Sequence, residues 1–125
     1  MSIAEVLGLE TWAVVGLSDN QGRAAYGLAK FLQDKGKRII PVHPRAVTVH
    51  GEPGYASLRD IAEPVDVVDC FVRSELVGPI VDDAIAIGAK AVWMQLGVID
   101  QEAAIRAGAA GLIVVMDRCP RIEWR

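Results

Sequence analysis

The chain has 125 residues, of which 52% are hydrophobic and 23% charged, and its formal net charge is -3. That length suits one compact core and is short for a nucleotide domain plus a separate substrate domain, so residues 1–125 are expected to form a single domain. The acidic balance argues against a general nucleic-acid or anionic-membrane partner, no apolar run approaches a membrane span, and the start MSIAEVLGLE is acidic where a signal peptide is basic, which together point to a cytoplasmic protein.

Residues 12–17 (WAVVGL) read as a buried strand that runs into the turn Ser18 to Gly22, and a helical pattern follows over 24–35 with Leu28, Phe31 and Leu32 on one stripe before Gly36. A strand feeding a helix start leaves backbone N–H groups unpaired and aims the positive end of the helix dipole at the turn, so WAVVGLSDNQG has the grammar of a phosphate cradle. A second strand, RIIPV at 38–42, contains Pro41, which suits an edge or irregular position. The segment HPRAVTVHGEPG is turn-rich, with Val47 and Val49 as candidates for a short extra strand, and a brief helical turn is expected within 55–61. Residues 65–72 (VDVVDCFV) form a third strand carrying Asp66 and Asp69. A helix over 75–87 is expected to pack Leu76, Ile80, Val81, Ala84 and Ile87, and to end at Gly88. A fourth strand at 91–96, a short helix at 100–107 with Asp100 as N-cap, and a last strand at 112–116 complete the alternation. The tail DRCPRIEWR ends near an exposed-reading aromatic, Trp124, which leaves a homodimer open and suggests folding back onto the sheet.

Alternating strands and helices predict a Rossmann-like α/β fold, a doubly wound and mainly parallel five-stranded sheet in three layers. The expected strand order is 3-2-1-4-5 with an insertion after the second strand. Ligands in such sheets sit beyond the carboxyl ends of the strands where the order reverses. That selects Gly16 to Arg23, His43 to Arg45, Cys70 to Arg73 and Gln95 to Gly97 as the rim.

The dinucleotide fingerprint G-x-G-x-x-G is absent, since Gly16 is followed by Leu17 and Ser18. Where an acidic residue would hold the ribose of NAD, the second strand exits into VHPR, with His43 and Arg45. A cation there suits a ribose that carries an extra phosphate, which puts NADP or coenzyme A ahead of NAD. Arg23 at the helix start opposes the dipole unless an anion is present, so it reads as a pyrophosphate contact. Asp66 and Asp69, three apart in a strand, face opposite sides and do not make an acid/base pair; Asp69 is expected to reach a backbone group near the rim. Cys70 and Cys119 are expected to be free, buried and inert, and with His43 and His50 they follow no zinc spacing. Tyr26 and Trp93 read as packing residues, and Gln95 as a polar group at a strand end, facing a ligand arm or ordering a loop.

These segments, GLSDNQG, VHPR, DVVDCFVR and AIGAKAVWMQLGV, taken in order, resemble the CoA-binding domain family, the Rossmann-like module also found at the front of the succinyl-CoA synthetase alpha subunit. The resemblance covers essentially the whole chain and implies coenzyme A, or an acyl-CoA, as small-molecule ligand. It implies that the turn from Gly16 through Leu17 lets Ser18, Asp19, Asn20 and Gln21 line the CoA phosphates. It further implies that Pro44 and Arg45 meet the nucleotide end and that Phe71, Val72 and Arg73 pack near the adenine, while Gln95 either meets the pantetheine arm or orders a loop. Where the synthetase has prolines, this chain has Arg73 and Ser74. The synthetase reaction implies a phosphorylated histidine on a second domain; neither His43 nor His50 matches it, so non-catalytic binding is expected. An NADP-linked reductase or redox sensor, and a ligase subunit that depends on a partner, stand as the alternatives.

Overall fold

The computed structural model describes residues 3–124. Five parallel strands form one sheet in the order β2-β1-β3-β4-β5, where β1 is Thr11–Val15, β2 Arg38–Val42, β3 Val67–Cys70, β4 Ala91–Met94 and β5 Ile113–Val115. Helix α1 (Ile3–Leu7) precedes β1; α2 (Ala24–Asp34), α3 (Ser74–Ala86) and α4 (Gln101–Ala109) are the crossovers after β1, β3 and β4; α5 (Pro120–Glu123) ends the chain. No helix among the described residues is long and apolar enough to cross a membrane.

Strands β1 to β4 are largely buried on both faces, as a covered parallel sheet requires, and β5 at the edge is partly buried, so the side chains alternate between two cores. Trp12, Val14, Val67, Ala91 and Trp93 face α2 and α1, packing on Leu28, Ala29, Leu32 and Val6. Ala13, Ile40, Val68, Val92 and Met94 face α3 and α4, packing on Val77, Val81, Ala84, Ala103 and Ala107. The buried stripe of α3 is therefore Val77, Val81 and Ala84; Leu76 is exposed, where the sequence periodicity had placed it in the core. Asp100 caps α4 as expected, its carboxylate accepting the Ala103 N–H at 3.0 Å.

The strand order differs from the expected 3-2-1-4-5. After β2 the chain returns across the sheet, and β3 pairs with β1, so the reversal lies between β1 and β3. Pro41 fits this arrangement, because β2 is an edge strand whose outer side needs few donors. That edge is covered by the returning segment: Tyr55 N–H donates to the Pro41 carbonyl and His43 N–H to the Tyr55 carbonyl, both at 3.0 Å. Val47 and Val49 add no strand; Val49 forms a single bridge with Glu52. The expected helical turn is a 3-10 turn at Leu58–Asp60.

Opposite the cleft, the starts of the central strands are joined through Asp66. Its carboxylate accepts the Thr11 N–H at 3.0 Å and the Glu10 N–H at 3.3 Å, and pairs with Lys90 at 3.4 Å. Its carbonyl accepts from Lys90 and Ala91 N–H, both at 2.9 Å. Burial alone would push this carboxyl up; the Thr11, Lys90 and Glu10 donors outweigh it and hold the group below the usual carboxylate range. The tail folds back onto α2 rather than the sheet: Trp124 is half-buried, edge-on to Phe31 with ring centroids 5.6 Å apart, so it is not the free aromatic its sequence position suggested.

Candidate functional site

Where the order reverses, the carboxyl ends of the strands open into a cleft of about 1060 Å³. Its floor starts at Gly16, which has φ +98, and whose absent Cβ would run into the Phe71 carbonyl oxygen. Glycine is thus required twice, for its left-handed backbone and for the close approach that lets Phe71 N–H donate to the Val15 carbonyl at 2.8 Å. Leu17 then turns into the core, where it is fully buried, and anchors the loop from below.

The loop builds itself from its own side chains. Ser18 Oγ accepts the Asn20 N–H at 3.2 Å, Asn20 Oδ1 accepts the Gly22 N–H at 3.0 Å, and Arg23 N–H donates to the Asn20 carbonyl at 3.2 Å. Helix α2 begins with Arg23 at its N-cap, and that side chain makes no capping hydrogen bond. Ala24 and Ala25, whose N–H groups open the helix, line the cleft with the Arg23 side chain, so the positive end of the dipole and a guanidinium share one space.

From the β2 side come His43, Pro44 and Arg45. Arg45 N–H donates to His43 Nδ1 at 3.2 Å, and the Arg45 guanidinium meets the Asp19 carboxylate at 3.2 Å across the mouth. Both side chains of that pair are more than half exposed, so water screens it and a stronger anion can replace the carboxylate. Phe71, Val72 and Arg73 supply the wall after β3, and Gln95 closes the end beyond β4. Gln95 is buried and its Oε1 has no hydrogen-bond partner among the described residues.

The structure therefore gathers Gly16, Ser18, Asn20, Arg23, Pro44, Arg45, Phe71, Val72, Arg73 and Gln95 around one cleft. Asp19 and Gln21 are exposed on the same loop but do not line it. Cleft residues that sequence reasoning did not single out include Ala56 to Leu58, Leu76, Ile80, Asp83 and Val98. Val98 comes from the turn after β4; the others come from the β2–β3 connection and α3, which reach the rim because β3 lies beside β1. Cys70 lies beneath the cleft without lining it; burial pushes its thiol up, as does the adjacent Asp69 carboxylate, and it is inert as a nucleophile. Cys119 is likewise free but only partly buried. Asp69, expected to reach a backbone group, has no hydrogen-bond partner for either oxygen among the described residues. Its strand position points it into the α2-side core between Val14 and Trp93, away from the rim. Tyr26 packs on the His50 ring at 4.2 Å, and Trp93 donates its indole N–H to the Arg118 carbonyl at 2.8 Å. No cluster of three or more potential metal ligands occurs among the described residues.

A parallel sheet whose strand order reverses beside a cleft lined by the start of α2 defines a Rossmann-like α/β module. The chain belongs to the CoA binding domain family, whose model matches residues 10–125. It is 36% identical over 110 residues to the uncharacterized protein YneT of Bacillus subtilis, covering 88% of this chain and 82% of that one. A solved structure of a hypothetical protein from Pyrococcus horikoshii superposes with a TM-score of 0.92 at 38% identity, over 97% of this chain and 86% of that one. A 71-residue stretch, 57% of the chain, is 26% identical to the ADP-forming acetate–CoA ligase of Methanocaldococcus jannaschii, of whose length it spans 10%.

Proposed function

We propose that the cleft binds coenzyme A or an acyl-CoA without performing chemistry on it, as a single domain over residues 1–125. The observation that carries this reading is that Arg23, Arg45 and the start of α2, whose N-cap side chain makes no capping hydrogen bond, line one cleft in a chain of the CoA binding domain family. In this reading the pyrophosphate lies against the Ser18 to Gln21 loop and the first turn of α2, with Arg23 beside it. The Gly16–Leu17 turn sets the loop's height. Arg45, behind Pro44, exchanges Asp19 for the ribose phosphate, and Phe71, Val72 and Arg73 flank the nucleotide base. Gln95, a buried amide with a free acceptor, faces the pantetheine arm, whose amide N–H groups are suitable donors.

Binding rather than catalysis is favoured because no hydroxyl or thiol among the described cleft residues is hydrogen-bonded to a histidine or carboxylate that could activate it. The test is a thermal-shift comparison of CoA, dephospho-CoA, NADP and NAD, since a ligand at a hundredfold excess over its dissociation constant adds about 2.7 kcal/mol of stability. CoA is expected to raise the midpoint most. Stabilisation by NADP with none by CoA would overturn the reading in favour of a redox module. Arg45→Ala is expected to weaken CoA about tenfold or more and dephospho-CoA much less, as the loss of a charge-assisted phosphate contact requires. Equal losses would move Arg45 off the ribose phosphate.

A further inference from the structure

The turn after β4 carries a feature that phosphate binding does not require. Val98 N–H donates to the Gln95 carbonyl at 2.8 Å, and Gly97 sits at φ +81. From the β5 side, Asp117 Oδ1 accepts the Gly97 N–H at 2.7 Å. From the start of α3, Ser74 Oγ donates to the Gly97 carbonyl at 3.1 Å and accepts the Ile99 N–H at 2.9 Å. The turn is thus tied to the connections on both sides of it. What it holds out is Leu96, 56% exposed, and the first turn of α3 holds out Leu76, 49% exposed, on the other side of the Ser74 bonds. Both leucines line the same cleft as Arg23 and Arg45, together with Ile80 and Val98.

A loosely held loop would tuck a leucine inward. Here the hydrogen bonds prevent it, so the apolar surface is preorganised and waits for a cover. Position along the sheet identifies the cover. Arg45 follows β2, the phosphate loop follows β1, and Leu96 follows β4, three strand spacings from the Arg45 end, or about 14 Å. A CoA with its ribose phosphate at Arg45 and its pyrophosphate over β1 directs its thiol end toward β4. We infer that Leu96 and Leu76 form an acyl subsite, so that the preferred ligand is an acyl-CoA with an aliphatic chain rather than free CoA. This inference rests on the proposed CoA-binding reading and adds the class of acyl group to it.

The test is calorimetric titration of the protein with CoA, acetyl-CoA, butyryl-CoA and octanoyl-CoA, repeated on Leu96→Ser and Leu76→Ser, with sedimentation of each protein alone. Each methylene that is buried is worth up to about fourfold in affinity, so an increase of at least about tenfold from acetyl-CoA to octanoyl-CoA is expected. In Leu96→Ser the ratio of octanoyl-CoA to CoA affinity is expected to fall toward one, and in Leu76→Ser to fall partway. Equal affinity of the native protein for CoA and every acyl-CoA overturns the acyl subsite and leaves CoA binding standing. No binding by any of the four removes the CoA reading itself. An unchanged chain-length series in both variants, or loss of CoA and octanoyl-CoA by the same factor, also overturns the subsite. A native dimer that Leu96→Ser converts to monomer assigns the leucines to a second copy of the chain instead.

Discussion

Asp69 is the residue whose surroundings depart furthest from what its chemistry prefers. It is fully buried within β3, and neither carboxylate oxygen has a hydrogen-bond partner among the described residues, so burial pushes the group well above its ordinary range and favours its protonated form. The unfolded chain releases that proton near pH 4, whereas the folded chain retains it, so stability declines as pH rises above about 4 until the folded-state value is reached. Asp69→Val, nearer to aspartate in volume than leucine and free of unpaired polar atoms, is expected to gain about 1–3 kcal/mol at pH 7.5 and less at pH 4.5, measured by urea unfolding at both values. An equal change at the two pH values would show that the carboxyl does not titrate in this range. From the sequence, Asp69 reads as one of two carboxylates in one strand, whereas Asp66 lies just before β3 with its carboxylate on the Glu10 and Thr11 N–H groups. The lack of a partner for Asp69 is a property of the packed core and is not legible in the residues alone.

At the scale of elements, the ends of β1 and β3 approach each other closely at Gly16. Gly16→Ala places a methyl group against the Phe71 carbonyl at a backbone angle that alanine resists, so the strand ends must part and the loop from Ser18 to Gly22 must shift with them. We expect a loss of about 2 kcal/mol or more in stability and of nearly all CoA binding, whereas Gly36→Ala, strained in φ but with open space around it, loses stability only. Calorimetry and thermal melts of both variants separate the two effects. All five strands, the three crossover helices and the cap at Asp100 were legible, because burial on both faces gives continuous apolar runs and the helices carry a stripe. The strand order was not. Alternation fixes that the crossovers are parallel but not on which side of β1 the third strand lands. The signal that could have decided it was Pro41, which marks β2 as an edge and conflicts with any order that puts a strand outside it. The same error hid the lining residues of the β2–β3 connection and α3, while the turns after β1, β2 and β4 were readable from glycine, proline and charge.

Across the whole molecule, the cleft draws on four strand ends, so ligand should register at all of them together. Hydrogen exchange with saturating CoA is expected to slow amides in 16–25, 42–45, 71–73 and 95–98 and to leave those of α4 and of the Asp66 region unchanged. Slowing confined to one segment would contradict a ligand laid along the rim. The expected separation reflects the two ends of the sheet. Asp66 ties the starts of β1, β3 and β4 with its carboxylate, its carbonyl and the Lys90 ammonium, so register is secured at the end remote from the cleft. The rim turns consequently owe the sheet little beyond Gly16 and Leu17. A designer who keeps those two residues and exchanges the remaining turn sequences is working on a scaffold already anchored elsewhere, and can reshape the cleft for a chosen ligand without first rebuilding the protein that carries it.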